Sequence, residues 1–523
     1  MNTETSNTRR TRAGGRAARL ALRDSAPEVG RMPVRAGMEG GRYNPLSQDD
    51  LLAIHRAALD LLGSVGIGQA TPEVIEIATA RGCSVNTYGR LVFPPVLIED
   101  LLAGAAREYV IYSRDPAYAD LHVGGGRVHY ATSGEAVSVL DFEARNYRPS
   151  TLQDVYDTAR LVDALPNIHQ YGQMVVPTEI EDLIEHDINV VYAVLSGTTK
   201  PVEHTFNTVA SLPAALEIYA MIAGSEKKFR ERPFVSFGGC PIVSPLRFAP
   251  ESLDVLIATS RLGLVSDIAV APQAGATAPA YLAGTLAQVV AETLACLAVV
   301  NMVRPGCPMS FAAWPFAVDL RTGSFSGGAA EVAVSMAAIA QIGRFYDLPT
   351  TVAASMSDAK MPDAQMGYEK GIASVVAGLA GANRVLESAG MMASLMGVSY
   401  EAMVIDNDML GMAQRVVRGI EVSDETLSVD TIKAAVLGEG HFLGAADTLK
   451  SMQTEFHYPQ IADRASVQVW TAEGAQTIGE RARNVAADLL ANHFPQAMDT
   501  AVDAAIRDRF PIRLPRERMR PVD

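Results

Sequence analysis

The sequence predicts an α/β fold: a (βα)8 barrel carrying a helical N-terminal subdomain and a helical C-terminal extension. Three observations lead there. Short strand-like runs start roughly every 30 to 45 residues, and each gap holds a helix-length apolar pattern, as repeated βα units require. Eight such runs occur, whereas a doubly wound sheet usually has about five or six. The composition, 48% hydrophobic and 20% charged over 523 residues, supplies an extensive core and rules out a mainly disordered chain.

Residues 1–43 read as a disordered basic arm. Its nine arginines outnumber four acids, giving about +5 and leaving about −20 on the rest of a chain whose net charge is −15. Gly14, Gly15 and Arg16 follow Arg9-Arg10 where an export signal needs an apolar stretch, so export is not expected.

Residues 44–127 read as a helical and hairpin subdomain. Ser47 caps a helix over Gln48–Val65, Thr71-Pro72 starts a second, and Phe93-Pro94-Pro95 starts a third reaching Ala106. Gly124-Gly125-Gly126 sits between short apolar runs and reads as a hairpin turn.

The barrel is expected over 128–398, with strands at Val128–Thr132, Ile168–Val176, Pro201–Phe206, Pro233–Gly238, Asp267–Ala271, Met309–Ala313, Thr350–Ser355 and Arg384–Glu387. Between them lie helical patterns, among them Leu152–Ala164, Ile180–Leu195, Leu253–Leu262 and Gly328–Phe345. Leu282–Val303 is apolar enough to span a membrane, but Gln288, Glu292 and Asn301 mark it as a buried helix. Residues 399–523 form the helical extension.

The acidic balance does not suit nucleic acid or an anionic membrane surface. Four scattered cysteines (Cys83, Cys240, Cys296 and Cys307) give no disulfide framework and fit the cytoplasm. With no H-E-x-x-H and no cysteine pair at ligand spacing, no metal site is expected. Barrel chemistry belongs at the C-terminal ends of the strands, a neighbourhood that includes Tyr130, Glu203, His204, Phe237, Cys240, Trp314, Arg321, Asp358, Lys360 and Glu387.

Several segments resemble the trimethylamine:corrinoid methyltransferase family, including its members without pyrrolysine, such as glycine betaine methyltransferases. They are Gly275-Ala-Thr-Ala-Pro279, Val318-Asp-Leu-Arg-Thr-Gly323, Ser357-Asp-Ala-Lys-Met-Pro-Asp-Ala-Gln365 with Gly367-Tyr-Glu-Lys370, Glu387-Ser-Ala-Gly390, Ile405-Asp-Asn-Asp-Met-Leu-Gly411, Gly440-His-Phe-Leu-Gly444 and Thr454-Glu-Phe-His-Tyr-Pro459. The resemblance implies a TIM barrel that moves a methyl group from an amine to Co(I) of a separate corrinoid protein. No tightly bound cofactor is then expected in this chain, because cobalamin arrives on the partner. All residues here are standard ones, which favours a quaternary amine such as glycine betaine over trimethylamine. A homo-oligomer is expected.

A quaternary ammonium has no N–H, so aromatic faces hold it, and Trp314, Phe316, Tyr130 and Phe237 are the candidates. A betaine carboxylate needs a cationic or multi-donor partner, for which Arg321 comes first and His204 second. Glu387 ends the eighth strand, where an acid is either paired or functional. Asp358, Lys360, Asp363 and Gln365 line the pocket or face the corrinoid protein, unless they simply pair with one another. No residue is assigned a catalytic role. Two competing functions are a Schiff-base lyase using Lys360 and a non-enzymatic betaine-binding protein. Asp358 and Asp363 count against the lyase, since they would keep that lysine charged.

Overall fold

A computed structural model describes residues 29–520, so most of the expected basic arm, residues 1–28, lies outside the described residues. The described chain forms two compact units. One comprises 29–35 with 418–458, the other 36–417 with 459–520. In the smaller unit the short helices Val429–Val436 and Ala446–Ser451 leave Val436, Leu437 and Leu443 exposed.

In the larger unit, eight parallel strands among the described residues close a barrel. They are β1 (Arg127–Tyr130), β2 (Tyr171–Gly172), β3 (Val202–Thr205), β4 (Val235–Gly239), β5 (Ser266–Ile268), β6 (Phe311–Ala312), β7 (Thr350–Ala353) and β8 (Arg384–Leu386). Neighbours pair in order from β2 to β5 and from β6 to β8. Single bridges, Ala131 to Gln170 and Ser266 to Met309, join β1 to β2 and β5 to β6. Parallel pairing of Arg384 with His129 and of Val385 with Tyr130 closes the ring. Each of the eight runs read from sequence contains or overlaps one of these strands.

The helices that follow the strands are α1 (Leu152–Ala164), α2 (Leu183–Gly197), α3 (Leu212–Ala223), α4 (Pro250–Leu262), α5 (Leu282–Val303), α6 (Ala330–Phe345), α7 (Ala364–Ala380) and α8 (Tyr400–Arg418). Helix α5 is apolar all round for a physical reason. The barrel covers one side of it, and the N-terminal helices Gln48–Asp60 and Pro95–Ala103 pack on it as well, so 94% of its most apolar window is buried. Its mid-helix Glu292 is satisfied by the Leu246 N–H at 2.7 Å and the Ser244 hydroxyl at 2.8 Å.

The predicted caps form. Ser47 and Asp50 make a reciprocal capping box, and Thr71 accepts from the Val74 N–H ahead of Pro72. The hairpin expected at Gly124-Gly125-Gly126 forms differently. Leu121–Gly124 pairs with Glu108–Ile111, and the glycines turn the chain into β1. Within the span read as the arm, Met38–Glu39 pairs antiparallel with β1 and buries Met38. The C-terminal helix Ile478–Asn492 packs on α1, where Arg160 donates to the Leu490 carbonyl at 2.9 Å.

Two small sheets frame the C-terminal mouth. Gln273–Ala274, Phe316–Asp319 and Ser324–Ser326 form one, built from the chain after β5 and β6. Met391–Met392, Gly397–Val398, Ser138–Leu140 and Tyr147–Pro149 form the other, built from the chain after β8 and β1.

Candidate active site

Inside the barrel, alternate strand residues point to the axis, and their polar groups meet at Arg384. This guanidinium is fully buried. It donates to Gln170 Oε1 at 2.9 Å and to Glu203 Oε2 at 2.5 Å, and it pairs with Asp267. Tyr109 reaches in from the N-terminal hairpin, its hydroxyl 3.3 Å from Asp267 Oδ1 and 2.5 Å from Ser310 Oγ. Burial raises the Glu203 pKa, and the Arg384 charge opposes that rise. Gly238 on β4 makes room for Glu203, since a Cβ there would lie 3.0 Å from its Oε1.

A cavity of about 190 Å³ opens toward the mouth, lined by Glu135, Glu203, Cys240, Trp314, Phe316 and Glu387 among others. That is below the ~300–1,000 Å³ of sites for drug-sized ligands, so its occupant has few heavy atoms. Trp314 is oriented by its indole N–H, which donates to the Thr351 carbonyl at 3.3 Å. Phe316 stands edge-on to Phe325 at 5.0 Å.

Glu387 is 2% exposed, and its Oε2 has no hydrogen-bond partner among the described residues. Burial pushes its carboxyl up to about 8; Lys370 pulls it down and Glu203 adds to the rise. Lys370 is itself committed, donating to Asp406 Oδ2 at 2.8 Å with both side chains fully buried. Leu386 and Glu387 both line the cavity, which a regular strand forbids. The left-handed backbone at Glu387, φ +59°, breaks the alternation. Glu135 and Ser355 are left-handed beyond β1 and β7, as is the run Ala393–Leu395 beyond β8, so strained backbone gathers at the mouth.

The other residues picked from sequence fall elsewhere. His204 and Phe237 occupy the outward register of β3 and β4. The His204 ring stacks on Tyr219 with Nδ1 2.7 Å from its hydroxyl, burial holds its pKa down at about 3, and Phe237 stacks on Phe206. Tyr130 likewise faces out, donating to the Ser374 carbonyl of α7 at 2.9 Å. These three corrections share one cause. Parallel barrel strands are apolar on both faces, so alternation alone does not say which face is inside. Arg321 is 88% exposed and pairs with Asp319 at 2.7 Å, lining a separate surface pocket.

The charged run after β7 is loop scaffolding. Asp358 accepts from Ser326 Oγ at 2.6 Å, the Gly327 N–H at 2.9 Å and Ser394 Oγ at 2.9 Å. Asp363 caps α7 through the Gln365 and Met366 N–H groups, and the Gln365 side chain donates to Glu369 at 2.8 Å. Lys360 is exposed and donates to the Asp358 carbonyl at 2.5 Å.

The family model described as trimethylamine methyltransferase (MTTB) matches residues 12–514. The chain belongs to this family. The trimethylamine methyltransferase MttB of Desulfitobacterium hafniense is 31% identical over 483 residues, covering 91% of this chain and 96% of that protein. MttB of Methanosarcina thermophila is 30% identical, covering 89% and 96%. The glycine betaine methyltransferase of Desulfitobacterium hafniense strain Y51 is 30% identical over 467 residues, again covering 89% and 96%. Among solved structures, the Methanosarcina barkeri monomethylamine methyltransferase is 13% identical with a TM-score of 0.46, covering 90% of this chain and 92% of that one. The protein is thus an enzyme, a methyltransferase.

The cluster at the centre of this methyltransferase, Arg384 with Asp267, was not picked from the sequence. Its signal was an arginine opening an otherwise apolar strand, together with one acid in each of strands three and five (Glu203 and Asp267). An unpaired arginine is rarely buried, so those acids were its natural partners.

Proposed function

We propose that this enzyme moves a methyl group from a quaternary amine to Co(I) of a separate corrinoid protein. The observation that carries the reading is the small cavity at the barrel mouth, where Trp314 and Phe316 stand beside the carboxylates of Glu203 and Glu387. Aromatic faces and carboxylates together hold a methylated ammonium, which offers no N–H to direct a hydrogen bond. Reduced cobalt supplies the nucleophile that takes the methyl group. The chain's part is to hold the donor nitrogen, turn one N–CH3 bond toward the open mouth and keep water away. The leaving group is a neutral tertiary amine, so release needs no proton from the protein.

The family match and the two relatives named for trimethylamine and glycine betaine support this reading. Among the described residues, the helix long and apolar enough to cross a membrane, α5, is buried in the core. The four cysteines are free, which suits the cytoplasm. The rim sheets are the face on which the corrinoid protein lands. A Schiff-base lyase at Lys360 has little support, since that amine is exposed and held on a backbone carbonyl.

Anaerobic enzyme given cob(I)alamin, or a reduced corrinoid protein, and a panel of quaternary amines tests the reading. Loss of the Co(I) absorption with at least one quaternary amine, and not with trimethylamine, is expected. No loss with any amine and either acceptor overturns it.

A further inference from the structure

We infer that the cavity selects a quaternary ammonium carrying a net positive charge, a choline-like or tetramethylammonium-like cation, over a zwitterionic betaine. The inference rests on the proposed function for its site and goes further by fixing the charge of the donor.

The lining is one-sided. Among the described residues, Glu135, Glu203, Asp267 and Glu387 contribute acids to the wall, and no Lys, Arg or His lines it. The two buried cations next to the acids are already committed. Arg384 is shared among Gln170, Glu203 and Asp267, and Lys370 is held by Asp406. Above about pH 8, where Glu387 is ionised, a betaine carboxylate entering here would shed its water and meet like charge with no cation in the wall to receive it. Arg321, the residue whose chemistry best suits a carboxylate, is on the surface and paired with Asp319.

Acids alone do not make a site. The second observation is Glu387 Oε2, an unpartnered oxygen on a side chain 2% exposed, in the wall of the cavity. An orphan acceptor so deeply buried costs free energy unless something fills its place. A methylated ammonium fits, because it brings positive charge without demanding hydrogen bonds. The strained backbone that turns Glu387 inward is further expense at the same point. Trp314 and Phe316 line the same cavity, and aromatic rings attract N-methyl groups through cation–π contact and dispersion.

The test is equilibrium binding to the full chain by calorimetry at a pH above about 8, with tetramethylammonium, choline, glycine betaine and 3,3-dimethylbutan-1-ol, the neutral carbon analogue of choline. Both cations should bind, with betaine and the neutral analogue at least about tenfold weaker. Glu387→Gln should weaken choline at least about tenfold and narrow the gap to betaine. Glu135→Gln, at an exposed rim position, should weaken choline by a smaller factor and still discriminate if the buried variant fails to fold. Betaine binding as tightly as choline overturns the inference. So does equal binding of the neutral analogue, or absence of cation binding. Methyl transfer from a betaine in any of those cases would leave the proposed function standing.

Discussion

Replacing Arg384 by Met removes the one cation that neutralises Glu203 and Asp267 inside the barrel while roughly keeping its volume. Breaking a buried pair strands charge in a low-dielectric interior and costs about 3–5 kcal/mol. At about 2.1 cal/mol/K per residue, unfolding some 490 residues carries an entropy near 1 kcal/mol/K, so Tm should fall by about 3–5 °C at pH 7. The loss should depend on pH in a defined direction. Once unpaired, a buried carboxyl is driven toward its neutral form, so the folded variant takes up protons that neither the parent nor the unfolded chain holds. Each carboxyl that the parent keeps ionised and the variant must hold neutral costs about 1.4 kcal/mol per pH unit above an ordinary pKa of ~4.3, roughly 3.7 kcal/mol at pH 7 and 1 kcal/mol at pH 5. The penalty is therefore small in acid and grows as pH rises through the window between the unfolded and folded values. Thermal melts of parent and variant side by side at pH 5 and pH 7 read this directly. A Tm loss below 1 °C at pH 7, or the same loss at both pH values, would refute the account of Arg384 as the sole neutraliser of these acids.

Three further outcomes are expected. Cation affinity should rise with pH and level off above about 8, because Glu387 is ionised only above its raised value; Cys240, Glu203 and Glu135 share the cavity, Lys370 and Asp406 lie behind, and Glu387→Gln should flatten the profile. The same raised value means that the empty protein loses stability between about pH 4.5 and 8, a loss that a melt series should show and that bound cation should offset. Trp314→Ala should weaken the amine by about 0.5–2 kcal/mol, roughly 2- to 30-fold in Kd by calorimetry, with a smaller change for Phe316→Leu. Lys360→Ala should keep its rate of methyl transfer, read as loss of the Co(I) absorption, to within about twofold.

The architecture was legible because strands and helices announce themselves by length and spacing. The eight strand runs and the caps at Ser47 and Thr71 needed nothing beyond local chemistry. Facing was not legible. In β3, Glu203 and His204 are adjacent, and nothing local says that Glu203 turns inward while His204 stacks on Tyr219. Trp314 and Phe316, picked from the sequence as rings just past the end of β6, line the cavity at the mouth. Glu387, picked for its position at the end of β8, lines the cavity with a left-handed backbone that breaks the alternation. The partners of Asp358 lie up to 36 residues away in sequence, so its role as a loop anchor appears only in three dimensions.

That anchor has a mechanical consequence. One carboxylate holds Ser326 and Gly327, beyond β6, and Ser394, beyond β8, whose next residue, Leu395, is part of the cavity wall. The two edges of the opening therefore share a fastening at Asp358. A single carboxylate thus ties the hairpin after β6 to the opposite lip, as one stitch joins two hems. That stitch lies one residue from Leu395 in the cavity wall, so the shape of the opening and the shape of the cavity are set by the same side chain.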